Sequence, residues 1–187
     1  MKPVKSPLVV ALIFASSAAL AQEMPLPGPR PFEQMRGDCA DFAMDVARET
    51  AAWASAEVAQ VATTAGQDGS PVIPTGQLTR LALHPHGNVT FAVAPEQDRG
   101  GPEKFSGHLR VTVPHAGLWR VAASNGLWFD AVLGDAIVPT VAFEMQTQCR
   151  TPFKVVVFDL PAGEVALQFN GSATAEVEVI VLPWAGH

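Results

Sequence analysis

His84-Pro85-His86 places two imidazoles one residue apart, the spacing with which a metal site on a strand begins. A redox-active iron site needs histidine and carboxylate ligands converging on one face, with open coordination positions. No carboxylate stands close downstream: positions 90 and 91 are Thr90 and Phe91, and the first acid is Glu96. His84 and His86 are therefore candidate metal ligands without local support. They are expected to flank a turn near the surface, and neither a metal nor another cofactor is expected. His108 and His115 fall at a strand start and a turn, and His187 is terminal.

Cys39 and Cys149 are the only two cysteines and permit one intramolecular pairing. No CxxC motif or neighbouring histidine gives either the setting of a reactive or metal-binding thiol. A structural disulfide is expected. Nucleophile-elbow and phosphate-loop motifs are absent, and Gly100-Gly101-Pro102 lacks the strand and helix such a loop needs. The chain is expected not to be an enzyme.

Trp128 and Asp130 form the remaining candidate site. Strand alternation puts them on one face, opposite Leu127, Phe129, Ala131 and Leu133. An unpaired carboxylate in a core is costly, so the Asp130 face should be wet or lie at a partner contact. An indole left there would be an exposed anchor for a sugar ring or a partner. Trp119 is expected in the core, Trp53 under a helix, and Trp184 at the end of the domain.

Lys2 and Lys5 followed by an apolar run to Leu20, with Ala19-Leu20-Ala21 as the cleavage signal, make residues 1–21 a secretory signal peptide. A periplasmic or secreted bacterial protein follows, with no membrane span after cleavage. The full chain of 187 residues carries a net charge of −6, which speaks against nucleic-acid binding. Its 48% hydrophobic and 16% charged content supports a substantial core, and its 16 prolines and 15 glycines favour short strands with many turns.

Residues 22–37 form a Pro-rich extended leader. Asp38 supplies an N-cap, and apolar residues recur at helical spacing through Phe42, Val46 and Trp53, predicting a helix over 38–63. A loop over 64–76 follows. Residues 77–183 form the β-domain, with strands expected at 78–84, 89–94, 108–113, 118–124, 127–133, 137–143, 153–160, 164–170 and 175–182. Asn125-Gly126 predicts a tight hairpin between two of them. The fold expected is all-β, an antiparallel jelly-roll-like sandwich of about eight or nine strands with one N-terminal helix packed on it.

The run from Val113 to Val121 (VPHAGLWRV), followed by Leu127 to Val132 (LWFDAV), resembles the core of PPC-like (pre-peptidase C-terminal-like) secreted β-sandwiches. Phe158 to Gln168 (FDLPAGEVALQ) is similar to their second signature. The mature chain also resembles small exported proteobacterial proteins of unknown function, in which a Cys-bearing helix precedes the sandwich and a second Cys precedes a Lys-containing strand, as Cys149 precedes Lys154. The resemblance implies a non-catalytic binding or interaction module that meets a periplasmic protein or a polysaccharide. The alternatives are a carbohydrate-binding module using Trp128 and a metal-dependent enzyme using His84 and His86.

Overall fold

The computed structural model describes residues 26–184 apart from Ala56, so the signal peptide expected over 1–21 lies outside the described residues. In chain order the strands are β1 (Ala59–Ala62), β2 (Val72–Pro74), β3 (Thr79–Ala82), β4 (His84–Pro85), β5 (Phe105–Val113) and β6 (Gly117–Ala123). They continue with β7 (Trp128–Leu133), β8 (Ala136–Ile137), β9 (Thr140–Met145), β10 (Lys154–Leu160), β11 (Gly163–Ser172) and β12 (Glu176–Pro183). One sheet runs β1-β3-β12-β6-β10-β9 and the other β2-β5-β11-β7-β8, with β4 paired to β5. Pairing is antiparallel except at β1–β3 and β2–β5.

Alternation explains how the two sheets pack. Val177, Val179 and Val181 of β12 face Phe129, Leu167 and Phe169 of the other sheet in one continuous core. Trp119 joins them and is fully buried, as its position on β6 predicted. Each such side chain contributes roughly 1.5–3 kcal/mol on leaving water. The intervening residues Val155, Val157, Ile180 and Leu182 point outward, where Met44, Val46, Trp53 and Trp184 cover them in a second apolar cluster. The N-terminal segment thus supplies the outer layer over the first sheet.

The helix predicted over 38–63 is much shorter. Asp38 does act as a cap, but its capping box with Asp41 closes a single 3-10 turn, Cys39–Asp41, and Phe42 leaves in extended conformation. The Glu144 carboxylate then accepts the backbone N–H groups of Ala43 and Met44, which a continuing helix would need for itself. The α-helix α1 spans only Ala47–Ala54. Residues beyond it form β1, because Ala59–Ala62 finds a parallel partner in β3. The leader is also not simply extended. Phe32–Met35 makes a 3-10 turn, Met35 is buried, and Thr147 and Gln148 donate backbone bonds to Met35 and Gly37.

Two further expectations fail for identifiable reasons. Residues 89–94 are a loop rather than a strand: Val89 and Thr90 donate to the His86 and Ala65 carbonyls, and the Val93 carbonyl accepts from the Gln168 side chain. The Asn125-Gly126 turn joins no hairpin: β6 and β7 belong to different sheets, and neither residue has positive φ. The Asn125 side chain instead accepts the Leu127 N–H and donates to Ser172 and Thr174. The disulfide forms as expected, joining Cys39 to Cys149 across 110 residues. No described helix is long and apolar enough to cross a membrane.

Candidate functional site

The most chemically unusual place in the molecule is a cleft between two free strand edges. β9 ends the first sheet, and β8 pairs only Val132 and Leu133 of β7, leaving Trp128 to Asp130 without a second neighbouring strand. A cavity of about 290 Å³ opens between these edges, lined by Trp128 and Phe129 of β7, Thr140 and Phe143 of β9, Lys154, and Gln97. A second cavity of about 320 Å³ shares Trp128, Phe143, Lys154 and Gln97, and reaches Arg99, Arg30 and Phe32. Phe143 and Phe32 are among the exposed large apolar side chains.

Sequence reading placed Lys154 on a strand after Cys149 but gave it no part in a site. It opens β10 in register with Val156 and Phe158, both core residues, so its stem points inward. The residue is only 7% exposed. Its ammonium lies 4.6 Å from the centre of the Trp128 ring and 5.0 Å from that of Phe129. Its hydrogen-bond acceptor is the Leu127 carbonyl, at a long 3.5 Å. Burial, seconded by the nearby Arg99 charge and opposed by Asp130, lowers its pKa to about 8. The sequence does carry a signal for it: Lys154 is the single charge among the positions 154, 156, 158 and 160 that share the core register.

Trp128 is half-buried, with Lys154 and the Arg99 guanidinium both against its ring, the latter at 5.4 Å. Two cations near one indole are favourable contacts of about 0.5–2 kcal/mol each. They also place two positive charges beside an aromatic ring.

Asp130 corrects the expectation of a wet face. It is 2% exposed, because the loop over 89–99 lies across the outer side of β11 and β7. The carboxylate is tolerated there because it is bonded. The Trp128 indole N–H donates to it at 2.7 Å, the Gln168 amide at 3.2 Å and the Glu96 backbone N–H at 3.4 Å. Gln168 also donates to the Val93 carbonyl and Asn170 to the Gln97 carbonyl. Asp130, Gln168 and Asn170 therefore clamp the loop that brings Glu96, Gln97 and Arg99 to the cleft. Asp130 is a positioning residue, not a contact surface.

Gly171 completes the clamp. Its φ is +76°, and a Cβ there would stand 2.4 Å from the Arg99 carbonyl oxygen. Only glycine lets the loop backbone come so close.

The histidines are used individually. His84 Nε2 donates to the Thr63 carbonyl at 2.8 Å, and His86 Nδ1 lies 2.9 Å from the Ser106 hydroxyl. His108 is buried against Phe91, and burial lowers its pKa. No three ligating side chains converge to hold a metal among the described residues.

No protein-family model and no curated protein matches this chain.

Proposed function

We propose that the protein is a non-catalytic, exported binding module, and that the cleft between β7 and β9 is its binding surface for a polymer of acidic sugars. The observation that carries this reading is Trp128 flanked by Lys154 and Arg99 at a cavity mouth. An aromatic wall suits the apolar face of a sugar ring, and two cations suit a ring carboxylate. The exposed Phe143 extends the apolar wall along the cleft. A long-range disulfide fits an oxidising compartment outside the cytoplasm. The strand orders β3-β12-β6-β10 and β5-β11-β7-β8 favour a jelly-roll description, an architecture that lectin domains share.

Titration with polygalacturonate tests the reading. Binding should alter tryptophan fluorescence, weaken steeply with added salt, and be lost in Trp128→Ala and Arg99→Ala. An uncharged glucan should bind far more weakly. Equal retention of both polymers, or retention unaffected by both substitutions, overturns it.

A further inference from the structure

Lys154 has properties that polymer binding alone does not require. It is buried and sits in core register, yet among the described residues no carboxylate oxygen lies within hydrogen-bond distance of it. Although buried, it lines both cavities, so the cleft reaches its side chain. The charged groups around it come from every neighbouring element. Arg99 and Glu96 lie on the loop, Asp130 on β7, and Arg30, itself paired with Glu144, on the N-terminal segment. Trp128 satisfies one oxygen of Asp130, while Gln168 and Glu96 share the other, so that carboxylate is already committed.

We infer that Lys154 is a reactive amine that condenses with the aldehyde or keto group of a small oxo acid, whose carboxylate pairs with Arg99. The ammonium first gives its proton to water at the cleft mouth. The nitrogen lone pair attacks the carbonyl carbon, forming a carbinolamine. Loss of one water then leaves a C=N bond, and nothing is oxidised or reduced. A pKa near 8 leaves about a tenth of the amine neutral at pH 7, far more than for an ordinary lysine. Condensation presupposes that the cleft admits ligands, as proposed above, but not that the ligand is a polymer.

The purified protein provides its own control, because Lys104 and Lys154 are the only lysines beyond the first five residues. Treatment with glyoxylate and cyanoborohydride at pH 7, followed by peptide mass spectrometry, reads the imine as a carboxymethyl adduct. Lys154 should be modified at least about tenfold faster than Lys104. Arg99→Ala should lower its rate with glyoxylate to the level seen with propanal, which has no carboxylate. Equal modification of the two lysines overturns the inference, as does a glyoxylate preference that survives loss of Arg99. If Lys154 stays unmodified while polygalacturonate still binds, the reactive amine falls and the binding cleft stands. If neither ligand is taken up by the folded protein, both fall.

Discussion

The Trp128 indole N–H donates to the Asp130 carboxylate 2.7 Å away, two residues along the same face of β7. Through this bond a cleft residue and a buried loop anchor become one unit. The indole is tethered to the strand, and the carboxylate keeps a donor beneath the loop.

Substitutions at Trp128 should separate these two roles. Trp128→Phe keeps a ring in the cleft but leaves a buried acceptor without its donor, at a cost of about 1–3 kcal/mol. Trp128→Ala removes packing as well, but half-exposure keeps its cost below the roughly 3–5 kcal/mol of a core aromatic. Urea denaturation of both variants checks the order.

Lys154 predicts how stability changes in alkali. Its folded pKa of about 8 lies below the ordinary 10.5, so between these values the unfolded chain binds more protons than the folded one. Stability due to this group is therefore fully present above pH 10.5 and lost as pH falls through 8. The rise across that window is at most about 1.4 kcal/mol per pH unit, and Lys154→Met should abolish it. Denaturant midpoints measured from pH 7 to 10.5 give the comparison.

Beneath α1, Arg120 and Glu49 form an ion pair of 2.9 Å, with side chains 1% and 0% exposed. Burial raises the Glu49 pKa and lowers that of Arg120, while each charge favours the ionised form of the other. Glu49→Ala strands a buried guanidinium and should cost about 3–5 kcal/mol. Replacing both by leucine should cost much less than the sum of the single changes, as a double-mutant cycle in denaturant would read.

Reducing the disulfide opens a loop of 110 residues. The chain-entropy model assigns such a loop about 4–5 kcal/mol. Cys39→Ser with Cys149→Ser should lower the thermal midpoint accordingly. It should also loosen Phe32 and Met35, which line the second cavity, and so weaken ligand binding there.

The inward faces of β12 and β7 were legible from residue types, because Val177, Val179 and Val181, like Leu127, Phe129 and Ala131, recur at every second position. The helix was not. Its apolar stripe is real, and Val46 and Trp53 do pack on the sheet, but the N–H groups that would extend it are taken by Glu144, about a hundred residues away. The same blindness hid the cleft. Trp128 and Asp130 could be placed on one face by counting, whereas the loop that buries Asp130 is held by Gln168 and Asn170 of a different strand. Lys154 was missed because a lysine at a strand start reads as solvated unless the register of its neighbours is weighed.

The Glu144 contacts also set an order of events during synthesis. Residues 30–46 emerge early, but the side chains that bind Gly37, Asp41, Ala43 and Met44 emerge about a hundred residues later. Glu144 accepts from Ala43 and Met44, Gln146 accepts from Gly37 and donates to Asp41, and Cys149 waits for Cys39. Until then the early segment has no surface to settle on, and its thiol stands open to mispairing with other chains. The last quarter of the polypeptide thus decides when the segment over 30–46 becomes safe from proteases and from its neighbours.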